Sequence, residues 1–300
     1  MMSEFLLSIC IPTFNRAEIL NRALAALFSN PDFDEDLIEV IVSDNCSSDH
    51  TKEVVRKYPL VKYYYNEENI KDANFTRILE RATGRYIRLF NDTLSFKPNA
   101  LRDMLKKIEK HLETKEDLFF YQNMFLNSNT EKKIVGMKEF LNEVSYFNTW
   151  IANFGTWRDS FTIIENKNRF ASLQLLQVDW SLQIAESKRG LVIYFNDFFN
   201  VETPPKKGGY NIFKVFISNY LLILKEAGLG VWTIEIEKFR LFRHFVFPWL
   251  VTLFVRDKGE YGFSTQGGLN TIMRSYWYHV YIYLFFLILI AKRVLNVMNK

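Results

Sequence analysis

The chain has 300 residues, 48% of them hydrophobic and 24% charged, with 12 Gly and 7 Pro, a composition that excludes disorder and collagen-like or low-complexity structure. Its two cysteines, Cys10 and Cys46, exclude a disulfide framework and lack the context of a zinc site, so the chain reads as intracellular. The net charge of +4 is uneven: residues 206–300 hold 13 Lys/Arg against 5 Asp/Glu, a balance of +8, which leaves −4 for the first 205 residues.

Residues 1–4 are polar and carry no signal-peptide pattern. Residues 6–11 then form an apolar strand candidate, and 17–28 repeat Ile19, Leu20, Ala23, Leu24 and Leu27 at helical spacing. A second strand is expected at 38–42 and a helix at 48–58, with Ser48 or Asp49 as N-cap. A third strand at 61–65 leads to a helix at 72–82 closed by Gly84. A fourth strand at 86–90, a helix at 98–112 and a fifth strand at 118–122 continue the alternation. Strict alternation predicts a mainly parallel sheet with helices on both faces, whose ligand sits at the carboxyl ends of the strands.

The residues at those ends are Pro12-Thr13-Phe14-Asn15-Arg16, then Ser43-Asp44-Asn45-Cys46-Ser47-Ser48-Asp49, then Asn66-Glu67-Glu68-Asn69 leading to Asn74, then Asn91-Asp92-Thr93. Any one such loop is ordinary turn chemistry. Four of them along one edge of one sheet, all rich in carboxylates, amides and hydroxyls, point to a polar ligand.

The first two loops, continued by His50-Thr51 and by Ala82-Thr83-Gly84-Arg85-Tyr86, resemble the inverting family 2 glycosyltransferases of the GT-A fold, over roughly residues 5–200. The overall cast resembles the abequosyltransferase-like subgroup, which builds bacterial surface polysaccharides. The resemblance implies a nucleotide-sugar donor. Asp44 would hydrogen-bond the base, Phe14 would lie against it, Thr13 would share the rim, and Arg16 would meet the diphosphate. Asn74 would belong to the same donor site. It also implies a divalent ion, Mn or Mg, on the acid after the fourth strand, here Asp92. Leu94 replaces the family's second acid, so a weak, substrate-dependent metal site is expected. The family's general base sits at the start of a later helix, which selects Asp179 in Gln177-Val178-Asp179-Trp180, where Asp also serves as an N-cap; Val178 replaces a frequent second acid. Trp180 is expected in the core.

From Tyr210 onward the character changes. Apolar helix candidates occupy 211–226 and 239–255, the latter broken by Pro248, and residues 275–291 carry no charge before Lys292-Arg293. Seventeen residues with Tyr276, Trp277, Tyr278, Tyr281 and Tyr283 at the front fit a shallow in-plane membrane contact better than a span, with the core of a helical bundle capping the catalytic domain as the alternative. Basic residues interleaved with apolar runs favour an anionic membrane surface over nucleic acid. Pro204 to Tyr210 reads as a flexible turn with some lid function.

The expected organisation is a GT-A catalytic domain at 1–205 and a C-terminal apolar, basic, aromatic helical region at 206–300. The expected activity is inverting transfer of a sugar from a nucleotide donor to a hydroxyl of a glycan or lipid-linked glycan, at the cytoplasmic face of the cell membrane. Two alternatives stand beside it: a catalytically silent GT-A glycan-binding module, and a sugar nucleotidyltransferase. The absence of glycines in Pro12-Thr13-Phe14-Asn15-Arg16 counts against the latter.

Overall fold

Residues 7–13 have no polar face to give to solvent, and Leu7–Thr13 (β1) is accordingly covered on both sides, as a central parallel strand requires. The structure, a computed structural model, describes residues 5–114, 116–122, 130–187, 189–202, 208–256 and 261–298. The N-terminal residues 1–4 and residues 203–207 of the expected turn lie outside these. Contacts divide the chain into Met1–Glu202 and Thr203–Lys300.

In the first unit, β1 is followed by Ala17–Phe28 (α1), Ile38–Asp44 (β2), Thr51–Val55 (α2), Val61–Tyr65 (β3), Ala73–Arg81 (α3) and Tyr86–Leu89 (β4). Strands β3, β2, β1 and β4 lie side by side in parallel, in that order. Leu20, Leu24 and Leu27 of α1 pack with Leu7, Ile9 and Ile11 of β1 and with Ile38, Val40 and Val42 of β2 in one buried cluster. Truncating one such fully buried leucine to Ala costs about 2–5 kcal/mol. Helix α3 packs on β1, β2 and β4 with Ile78 and Leu79, which lie outside that cluster. Helices therefore cover both faces, as the alternation predicts.

Three details differ from the expectation. The helix read at 48–58 is one turn and a half, Thr51–Val55, because Asp49 receives the backbone N–H of Thr51 (3.1 Å) and that of Ala17 (3.0 Å), tying the loop after β2 to the start of α1. Gly84 is not a helix cap, since α3 ends at Arg81 and Ala82 is its C-cap in extended conformation. Its lack of a side chain instead admits Ser8, whose Oγ would lie 2.6 Å from a Cβ there and accepts the Gly84 N–H at 2.9 Å. The fifth expected strand, after Leu94–Phe96 (β5) and Ala100–Lys110 (α4), leaves the central sheet. Asp117–Gln122 (β6) pairs in parallel with Leu191–Asn196 (β9), which also pairs antiparallel with Thr130–Ile134 (β7).

The edge beside β4 is taken instead by Gly155–Trp157 (β8), antiparallel, after Met137–Val144 (α5). Gly155 is required there: a Cβ would sit 2.7 Å from that of Arg88 and 2.9 Å from the Tyr86 ring. Arg158–Thr162 (α6), Leu176–Glu186 (α7) and Phe199–Val201 (β10), which pairs with β5, complete the unit.

The second unit contains Gly208–Asn211 (β11), Tyr220–Glu226 (α8), Val231–Leu241 (α9), Phe247–Val251 (α10), Gly262–Ser264 (β12), Gly268–Tyr276 (α11) and Val280–Met298 (α12), with π-helical turns at Lys214–Asn219, Phe242–Val246 and Thr252–Arg256. The expected C-terminal apolar helical region is corrected. β11 and β12 form a small parallel sheet, and a polar cluster is built in: Lys238 donates to Glu235 (3.1 Å) and to the Tyr278 hydroxyl, while Tyr278 donates to Glu235 (2.8 Å). The apolar rings pack on one another, Phe242 against Tyr276 and Phe285, which is why the run is not all surface. No described helix is long and apolar enough to cross a membrane.

Candidate active site

The carboxyl ends of β1, β2 and β4 bring four of the expected residues together. Register places Thr13 beside Asp44. On its other side the Thr13 hydroxyl donates to Asp92 Oδ2 at 3.3 Å. Arg16 donates to Asp92 Oδ1 at 3.0 Å from a half-exposed side chain. Burial raises the Asp92 carboxyl above its ordinary value, against the pull of Arg16 and Thr13 toward the ionised form.

Asp44 is buried, and its two oxygens accept from the Ser47 N–H (2.8 Å) and the Tyr63 hydroxyl (2.7 Å). Burial and the Asp44 contact push the Tyr63 phenol up, so it stays a donor. A carboxylate has about four acceptor positions, so these two bonds leave part of the Asp44 acceptor capacity unused. Phe14 stands 41% exposed at the rim. Asn15 holds the turn at φ 51°, a left-handed conformation Asn tolerates, and its side-chain oxygen accepts the Ser48 N–H at 2.8 Å. The loops after β1 and β2 are thus one braced surface.

Asn74 also arrives at this edge, but its amide is engaged. Its oxygen accepts from Ser43 (2.6 Å) and Asn66 (2.9 Å), and its nitrogen donates to the Ser43 carbonyl (3.0 Å). Asn45 and Asn66 extend the network, and Arg77 donates to Asn66 at 3.0 Å. In this geometry Asn74 braces the loops. Tyr63 and Arg77 were not singled out by the sequence, because an aromatic on an edge strand and an arginine on a helix are ordinary there.

Asp179 lies elsewhere. It is not an N-cap, since α7 begins at Leu176 after Leu175 and makes no side-chain cap bond. The Asp179 carboxylate is 0% exposed and held by the Arg169 fork, with Nε to Oδ2 at 2.9 Å and Nη2 to Oδ1, and by Gln183 at 2.9 Å. Arg169 was missed because nothing marks one arginine in a polar loop. Trp180 is core, between the rings of Phe154 and Phe161, as expected.

A divalent ion fits the residues after β4 only in part. Asp92 supplies one carboxylate, and the amide oxygen of the preceding Asn91 is buried with no hydrogen-bond partner, a second hard donor. Leu94 is buried in β5, and no group of three or more His, Cys, Asp or Glu that could hold a metal occurs among the described residues. Such a donor set suits an ion that takes most of its shell from phosphate and water.

Residues 8–150 match the family described as glycosyl transferase family 2. This stretch is a family 2 glycosyltransferase domain. It is similar to the GalNAc(5)-diNAcBac-PP-undecaprenol beta-1,3-glucosyltransferase of Campylobacter jejuni, 32% identical over 141 residues, which are 45% of this chain and 41% of that protein. It is also similar to the abequosyltransferase RfbV of Salmonella typhimurium, 32% identical over 123 residues, 38% of this chain and 34% of the relative. The chain thus spans less than half the length of these curated relatives. The family 2 domain has the GT-A fold of solved structures such as S. aureus TarS 1-349 (TM-score 0.59, 16% identity, 91% of this chain and 81% of that one). The mannosyltransferase PcManGT of Pyrobaculum calidifontis, solved with GDP-Man and Mn2+, superposes with a TM-score of 0.54 at 15% identity, over 98% of this chain and 87% of that one.

Proposed function

We propose that this chain is an inverting glycosyltransferase that moves a sugar from a nucleotide donor to a hydroxyl of a glycan, in the synthesis of a bacterial surface polysaccharide or a lipid-linked glycan. The observation that carries the reading is the convergence of Thr13, Arg16, Asp44 and Asp92 on one sheet edge of a family 2 domain. Asp44 accepts from the nucleotide base, Phe14 lies against it, and Arg16 turns from Asp92 to the diphosphate. The acceptor oxygen attacks the anomeric carbon from the far side and gives its proton to Asp179. The bond to the diphosphate breaks, and its electron pair leaves with the phosphate oxygen. Asn91 and Asp92 would hold a divalent ion, Mn or Mg, which when bound offsets the charge of the departing diphosphate.

The lipid-linked relative and the +8 balance of residues 206–300 support contact with an anionic membrane surface on the cytoplasmic side. Trp232 (83% exposed) and Ile236 on α9, and Val280, Leu284, Leu287 and Ile288 on α12, offer it an apolar face. The division of labour is then a catalytic domain over about 1–205 and a membrane-contacting region over 206–300.

The test is a thermal-shift and turnover panel with UDP-GlcNAc, UDP-glucose and GDP-mannose, with and without Mn2+. A ligand of the folded state raises the melting temperature by mass action. Binding with release of nucleoside diphosphate supports the transferase; binding without turnover supports the silent module, which the sealed Asp179 carboxylate favours. Chelator without effect on turnover removes the metal. Full-length protein that does not sediment with anionic vesicles removes the membrane contact.

A further inference from the structure

Strand β3 ends in three consecutive tyrosines, and each has a different setting. Tyr63 gives its hydroxyl to Asp44 Oδ2 at 2.7 Å. Tyr64 points to the other side of the sheet, as strand alternation requires, and the Arg81 guanidinium lies over its ring at 4.3 Å. Tyr65 returns to the side of Tyr63 and stands 49% exposed.

Register fixes where that exposed ring is. Thr13, Asp44 and Tyr65 are partners in one row across β1, β2 and β3. Phe14, the residue after Thr13, is exposed at the β1 end of the row, and Tyr65 is exposed at its β3 end. Strands two apart in a sheet are separated by about 9.5 Å. That span admits one flat ring between two others, each contact being about 4.5–7 Å between centroids.

The Tyr65 ring is also held in place. Its hydroxyl and the Cys46 thiol lie 3.4 Å apart, and the same thiol reaches the Glu67 carbonyl at 3.4 Å. Cys46 does so from φ 69°, a left-handed conformation uncommon in residues other than Gly, Asn and Asp. The next residue, Ser47, is locked by its N–H to Asp44 Oδ1 (2.8 Å) and by its hydroxyl, which accepts the Asn15 N–H (2.8 Å). Such strained backbone persists where its surroundings over-determine it, and it gathers at ligand sites. A ring pinned by its own hydroxyl has little freedom left to lose when a ligand settles on its face.

We propose that Tyr65 is a donor-binding residue: its ring and that of Phe14 are two walls between which the base of a nucleoside diphosphate lies, above the row of Thr13, Asp44 and Tyr65, and Cys46 fixes the Tyr65 wall. The proposal rests on the chain taking a nucleotide donor. A stacking wall meets the π-face of the base and does nothing for the diphosphate, so its contribution is confined to ligands that carry a base.

The test is calorimetry on the full chain with UDP, GDP, CDP, dTDP and inorganic pyrophosphate. Tyr65→Ala should weaken whichever nucleoside diphosphate the wild type binds by about 5- to 100-fold, the worth of one stacked base, and leave pyrophosphate within about two-fold. Tyr65→Phe, which keeps the ring, should recover most of the loss. Wild-type nucleotide affinity in Tyr65→Ala would overturn the wall and spare the nucleotide site. Equal losses for nucleotide and pyrophosphate, or a loss as large in Tyr65→Phe, would overturn it too, because the ring face would not be what binds. A wild-type chain that binds none of the four nucleotides would overturn the donor reading and the proposal with it. A further arm needs no variant. Cys10 is buried, so iodoacetamide reports on Cys46. Saturating nucleoside diphosphate should slow its alkylation and pyrophosphate should not; alkylation unchanged by bound nucleotide refutes the proposal.

Discussion

The donor edge and the Asp179 pocket hold their carboxylates in opposite ways. Asp44 and Asp92 are each fixed by one residue on a strand, Tyr63 of β3 and Thr13 of β1, and one loop residue, Ser47 and Arg16. Asp179 is fixed by one guanidinium ten residues earlier on a surface loop, with Gln183 one turn further along its own helix. Strand ends supply Thr13 and Tyr63 to the first set and the loops add Ser47 and Arg16, whereas the second is held by a loop arginine and by its own helix. Donor recognition should thus tolerate local change, and proton removal should not.

The largest expected effect tests the second half of that contrast. Asp179→Asn should keep the fold and donor binding while transfer falls by about 10²–10⁴-fold, the usual contribution of a general base, read from nucleoside diphosphate release at saturating donor. Asp44→Ala tests the first half. It should weaken binding of the matching nucleoside diphosphate by about 10- to 100-fold, the worth of one hydrogen bond to a charged group, with little change in rate at saturation. Equal losses in both parameters for both variants would erase the distinction.

Helix α3 touches both regions, through Asn74 and Thr76, and sharpens the comparison. Thr76→Val removes the bond to Asn168 and should reduce turnover only a few-fold, since one neutral hydrogen bond contributes about 1 kcal/mol, with nucleotide binding unchanged by calorimetry. The smallest effect is on stability. Burial pushes the Asp72 carboxyl at the head of α3 up to about 6. Its ordinary value is near 3.9, so the fold prefers the protonated form; that contribution is whole below about pH 4 and is lost as pH rises through about 6. Asp72→Asn should therefore be more stable than wild type at pH 7, by on the order of 1 kcal/mol, with the gap closing below pH 4 in melting curves.

Much of this was legible in the chain. The apolar runs at 6–11 and 38–42 and the helical spacing of Leu20, Leu24 and Leu27 indicate two strands and a helix, which the structure places at Leu7–Thr13, Ile38–Asp44 and Ala17–Phe28. The loop motifs contain Thr13, Arg16, Asp44 and Asp92, which the strand ends bring side by side. Less legible were β8, three residues long and brought from some 65 positions away to the edge beside β4, and the departure of β6 into a second sheet. Short strands carry too little periodic signal, and which edge they join is decided by packing.

The sequence by itself determined the order of strands and helices as far as β4 and the chemistry available at each strand end there, because those are properties of neighbouring residues. Tertiary structure decided which polar groups are engaged with one another. It committed the Asn74 amide to Ser43 and Asn66, and it closed the Arg169 fork over Asp179. Burial determines that outcome: a polar group removed from water must find its partner in space, and the partner it finds need not be near in the chain.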